Sequence, residues 1–69
     1  MIKLIDSFRN GDEMIAIVYA DTKAEVTGIS DIESACTDLG GTIGAGSVIY
    51  TAKREVGVVK SDETIEWGD

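Results

Sequence analysis

A chain of 69 residues lies where a single core leaves only about 3–5 kcal/mol of stability, so small domains usually recruit a disulfide, a structural metal or a partner subunit. Cys36 is the only cysteine and histidine is absent; this excludes an intrachain disulfide, a cysteine-based zinc site and a general base titrating unperturbed near neutral pH, and leaves oligomerisation as the supplement. The net charge of −7, with six bases dispersed among thirteen acids, excludes the basic stripe of a nucleic-acid binder and disfavours an anionic membrane surface.

In chain order, residues Ile2–Phe8 and Glu13–Ala20 are two β-rich runs separated by Asn10-Gly11-Asp12. Asn-Gly between such runs predicts a hairpin with a type I′ turn, which needs positive φ at both central residues. The second run, MIAIVYA, does not alternate. Met14, Ala16 and Val18 share one face and Ile15, Ile17 and Tyr19 the other, and both sets are apolar. Such a strand wants cover on both sides. A chain this short has little material for two covering layers, so the second face is expected to be buried by another subunit.

Asp21–Gly28 is mostly polar and reads as a loop or a short edge strand. ISDIESACTDLGG then carries both punctuation marks of a helix over about residues 31–39. Ser30 is placed as N-cap with Glu33 as its capping-box partner, and Gly40 suits the left-handed position after the last turn. Ile32, Ala35, Cys36 and Leu39 fall at i, i+3, i+4 and i+7, one apolar stripe. Asp31 and Glu33 lie where the helix dipole favours carboxylates.

Three short β-runs follow, Ser47–Ala52, Glu55–Lys60 and Thr64–Trp67, separated by polar turn residues. They predict a three-stranded meander in which Val48, Tyr50 and Ala52 share a face, as do Val56 and Val58, and as do Ile65 and Trp67. The expected class is therefore α+β: one small, mostly β domain over residues 1–69, built from a hairpin, one short helix and a meander. Hydrophobic residues at 43% and charged ones at 28% are ordinary for a folded chain.

Four glycines crowd Gly40–Gly46, and Gly41 and Gly46 have the spacing of a phosphate-binding loop. That loop needs lysine after its second glycine and a helix to hold the anion, whereas Ser47 and a strand follow here. A dinucleotide fingerprint runs from strand to helix, the reverse order. The glycines read as a helix-to-strand connection. Asp6, Asn10 and Gly11 match three positions of a calcium loop, but Phe8 and Ile17 stand where oxygen ligands belong, which leaves a hairpin turn. DETIEWGD at the C-terminus reads as a solvated acidic surface, and Glu63 with Glu66 as surface acids and not an acid–base pair. Cys36, on the apolar stripe, reads as buried and inert. Tyr19, Tyr50 and Trp67 supply core bulk or an intersubunit contact, and with Ile15 and Ile17 they form the expected interface.

GSVIYTA followed by VGVVKSDETIEW resembles a pattern found in small structural proteins encoded in the virion gene clusters of tailed bacteriophages and prophages. A Gly-Ser pair leads into a strand ending Tyr-Thr-Ala, then an apolar strand, a tight acidic turn and a terminal tryptophan. The matching residues are Gly46, Ser47, Tyr50, Thr51 and Ala52, then Val56–Val59, Asp62 and Trp67, within the C-terminal 30 or so residues. Glu63-Thr64 stands where a glycine commonly closes the last turn. The resemblance implies a non-enzymatic, capsid-associated accessory protein whose partners are itself and other virion proteins.

The competing expectation is an intracellular acidic adaptor that binds a basic protein through salt-sensitive contacts. Neither reading uses a cofactor, a metal, a small-molecule substrate, nucleic acid or a membrane. No apolar run approaches the ~18 residues of a membrane-spanning helix, and MIKLIDSFRN lacks the layout of a signal peptide. The expected location is the host cytoplasm during synthesis and then the virion, or the cytoplasm under the adaptor reading.

Overall fold

The computed structural model describes residues Met1–Gly68; Asp69, the last acid of the C-terminal tail, lies outside the described residues. Strands β1 (Lys3–Asn10) and β2 (Glu13–Ala20) form the expected antiparallel hairpin. Asn10 pairs with Glu13, so the loop is Gly11-Asp12, and of these two only Gly11 has positive φ, at +66°. Glycine first and one left-handed residue is the type II′ pattern, in place of the expected I′ turn centred on Asn-Gly. A bulge at Ile5 breaks the register between Leu4 and Asp6.

The chain then crosses one face of the hairpin. A 3-10 turn (Lys23–Glu25), the helix α1 (Ile29–Ala35) and a second 3-10 turn (Thr37–Leu39) lead to β3 (Thr42–Ile43) and β4 (Val48–Thr51). Asp21–Gly28 is thus a loop with one 3-10 turn. Both β3 and β4 run parallel to β2 along the same edge, β3 beside Glu13 and Met14, β4 beside Ile17–Ala20. A parallel pair requires a crossover of this kind, and here its second strand is interrupted. β5 (Val56–Val59) and β6 (Ile65–Gly68) complete the expected meander with β4. The result is a six-stranded mixed sheet in the order β1-β2-β4-β5-β6, with β3 also on β2. The α+β class expected from the sequence holds.

The helix begins earlier and ends sooner than 31–39. Gly28, not Ser30, is its N-cap, and the carboxylate that serves the turn before it is Asp31: Oδ2 accepts the N–H and the hydroxyl of Thr27, each at 2.9 Å. Cys36 leaves helical geometry (φ −115°, ψ 65°) and the tighter 3-10 turn carries the chain to Gly40, which is left-handed as expected (φ 72°). Of the expected stripe, Ile32, Cys36 and Leu39 reach the core while Ala35 faces solvent.

Those three join Met14, Ala16, Val18, Ala20, Val26, Ile43, Ile49 and Val59 in one cluster between the sheet and the crossover. Ala16 and Ala20 are wholly buried, and their small side chains let the crossover lie close to β2. Val26, from the polar stretch, is a core residue too. Where β3 stops and β4 has not begun, Gly44–Ser47 leave the β2 edge and Ala16 loses a backbone acceptor. Ser47 supplies it: Oγ accepts the Ala16 N–H at 3.0 Å and donates to the Gly44 carbonyl at 2.8 Å. Gly46, with φ +98°, makes the reversal that only glycine takes easily. No helix among the described residues is long and apolar enough to cross a membrane.

Candidate functional site

One crossover covers one face of the sheet. The other face can be read from the registers, because residues directly opposite across a ladder point to the same side. Three ladders cross it. The first runs Lys3, Tyr19, Tyr50, Val56, Gly68, and the second Asp6, Ile17, Val48, Val58, Glu66; Phe8 and Ile15 form the third. None of these residues belongs to the core cluster or packs against it.

Between the flanking charges the face is apolar throughout. Tyr50 is 43% exposed, Val58 40% and Phe8 56%, while Ile17, Tyr19, Val48 and Val56 are half-buried by their strand neighbours. Ile15 is buried, with Phe8 opposite on β1 and Gly46 close enough that a Cβ there would lie 3.8 Å from Ile15 Cδ1. Five strands at a spacing of ~4.8 Å span ~19 Å, consistent with extents of 31 × 22 × 17 Å for the whole. Soluble monomers rarely leave so continuous an apolar surface in water.

Of the residues expected at an interface, Ile15, Ile17, Tyr19 and Tyr50 lie together on this face. Trp67 does not. It pairs with Gly57 and packs against the core on the covered side, its ring so close that a Cβ on Gly57 would fall 2.9 Å from Cε3 and Cζ3. Val48, Val56 and Val58 complete the face. Their grouping is visible in the alternation of the meander, but their alignment with β2 depends on the β2–β4 pairing, which no local pattern encodes. Phe8 is accessible to sequence reasoning through the hairpin, which sets it opposite Ile15.

Several other chemistry-bearing groups lie elsewhere and are occupied structurally. Burial pushes the Cys36 thiol above its ordinary range, the opposite of activation. The Asp62 carboxylate accepts the Thr64 hydroxyl at 2.6 Å and its N–H at 3.1 Å, and these bonds hold it below the usual carboxylate range. Thr27 does the same for Asp31, through its N–H first and then its hydroxyl. Glu63 sits in the turn before β6 at φ +71°, and Glu66 closes the second ladder of the open face. Lys23 reaches Glu55 at 3.4 Å, tying the crossover to the β4–β5 turn. Among the described residues no pocket opens and no three potential metal ligands gather. Every buried side-chain N or O atom among them has a hydrogen-bond partner.

What the arrangement offers is an apolar plane with charges at its two ends. No protein-family model matches the chain, and no curated protein or solved structure matches it.

Proposed function

We propose that this protein is a non-enzymatic assembly component that associates with itself and with other proteins through the uncovered face of its sheet. The observation that carries this reading is the continuity of that face across β1, β2, β4 and β5, which leaves apolar side chains in water unless another surface covers them. Fully burying a Val or Ile side chain contributes ~1.5–3 kcal/mol, comparable with the whole stability of so small a domain. The resemblance of GSVIYTA and the strands after it to small virion proteins supports placing the assembly in a phage particle, as a capsid-associated accessory protein.

Light scattering across a concentration series tests the association. The wild-type is expected to exceed the 7.3 kDa of one chain at micromolar concentration. Ile17→Asp, which puts a carboxylate at the centre of the face and away from the core, is expected to hold the mass at one chain with an unchanged circular dichroism spectrum. A wild-type that stays at one chain throughout would contradict the self-association. Purified particles tested for the protein by mass spectrometry address the placement.

The adaptor reading retains one specific support. Residues 29–44, most of the outer layer, carry Asp31, Glu33 and Asp38 and no base, so a basic partner would meet an unopposed acidic surface there. That binding would weaken steeply with salt, whereas contact through the apolar face would not.

A further inference from the structure

We infer that the open face is covered by the same face of a second copy, in a two-fold sandwich whose axis lies between the sheets, runs across the strands, and passes between the Tyr19–Tyr50 and Ile17–Val48 ladders. This rests on the self-association proposed above and specifies its geometry.

The charges at the edge of the face favour a second copy in this register. Two-fold contacts are self-complementary: if residue i meets j of the second copy, j meets i. An axis between the two ladders exchanges them. Lys3, at one end of the first ladder, then lies over Asp6 of the second copy, and Asp6 over its Lys3. Both side chains are exposed, on the same face as Tyr19 and Ile17.

The interior follows the same exchange. Each Tyr19 ring meets Ile17 of the second copy and each Tyr50 ring meets Val48, aromatic against aliphatic, while Glu66 meets Gly68 and no side chain. Two other two-fold arrangements bring like charges together. An axis along the strands stacks β1 over β6 and sets Asp6 against Glu66; an axis on the second ladder sets Asp6 on Asp6 and Glu66 on Glu66. Aligned sheets pack ~10 Å apart with strands within about 30°, which permits the exchange. The net charge of −7 per copy opposes any dimer, but Asp31, Glu33 and Asp38 lie on the crossover side, beyond the ~8 Å screening length at physiological salt.

Two charge reversals, Lys3→Glu and Asp6→Lys, test this register when made in separate chains. Neither residue is in the core, and circular dichroism confirms that each variant folds. Alone, each variant places like charges at both ends of the interface and is expected to self-associate about 5- to 20-fold more weakly than wild-type. Mixed, the two are expected to form a heterodimer of near wild-type affinity, resolved by native mass spectrometry. The carboxylate introduced in one chain then faces the ammonium introduced in the other, and at the opposite end the retained Asp6 faces the retained Lys3. A Lys3–Asp6 pair within one chain cannot be rescued by mixing. If wild-type associates but the mixture shows no rescue, this register is overturned while self-association stands. If wild-type is monomeric at all concentrations, both are overturned and the face belongs to a different partner.

Discussion

Ser47→Ala tests whether the interruption between β3 and β4 is held by a side chain standing in for backbone. Ser47 is 1% exposed. Its Oγ is the acceptor of the Ala16 N–H at 3.0 Å, in the middle of the most buried strand. Alanine leaves that N–H facing a methyl group, with no acceptor and no room for bulk water. The Gly44 carbonyl loses the hydroxyl at 2.8 Å but keeps the Ser47 N–H at 3.3 Å, so the cost is dominated by one orphaned buried donor, ~1–3 kcal/mol. In a domain of this size that is a fall in melting temperature of about 4–8 °C per kcal/mol. Chemical denaturation at fixed protein concentration measures the loss, and amide exchange at Ala16 locates it. A loss below about 0.5 kcal/mol, within the range of neutral surface changes, with Ala16 still protected, would show that Ser47 does not stand in for the missing backbone acceptor.

Three further outcomes are expected. Gly57→Ala places a methyl 2.9 Å from both Ile65 and Trp67, and it should destabilise by ~1–3 kcal/mol and shift the Trp67 emission. Glu63→Gly should stabilise by up to about 1 kcal/mol, because φ +71° costs an L-residue roughly 1–2 kcal/mol and glycine returns part of that as chain entropy; urea denaturation reads the gain. Asp31 and Asp62 have folded-state pKa values lowered by Thr27 and Thr64, so the stability they contribute is present above the ordinary carboxylate range and lost as pH falls through the lowered values. Asp31→Asn and Asp62→Asn should therefore flatten the acid limb of the stability profile.

Local physics makes most elements legible. Asn-Gly announces the hairpin, and Glu13–Ala20 matches β2 to the residue because apolar side chains run through it without a break. That same doubly apolar run discloses two faces in need of cover, and the crossover supplies one. The capping arrangement departs from expectation because the helix starts at Ile29, with Gly28 as N-cap and no side-chain cap, while Thr27 donates its N–H and hydroxyl to Asp31 just before it. The attachment of β4 to β2 is not legible. A parallel pairing across about 30 residues leaves no local signature, and part of its hydrogen bonding runs through the side chain of Ser47. Trp67 shows the same limit from the other side. Alternation correctly places it with Ile65, but which face that pair occupies is set by the register of β6 on β5, and a slip of one residue would exchange the faces. Val26 is hidden because a single apolar residue among polar neighbours carries no period.

Isotope-filtered NMR on a mixture of labelled and unlabelled chains shows whether the uncovered face meets its own copy. Intermolecular contacts are expected from the Ile17 and Val48 methyl groups to the Tyr19 and Tyr50 rings, and none to Ile32 or Leu39 beneath the crossover. Intermolecular contacts confined to the crossover side, or an absence of any at concentrations where the protein sediments as more than one chain, would show that the uncovered face does not meet its own copy.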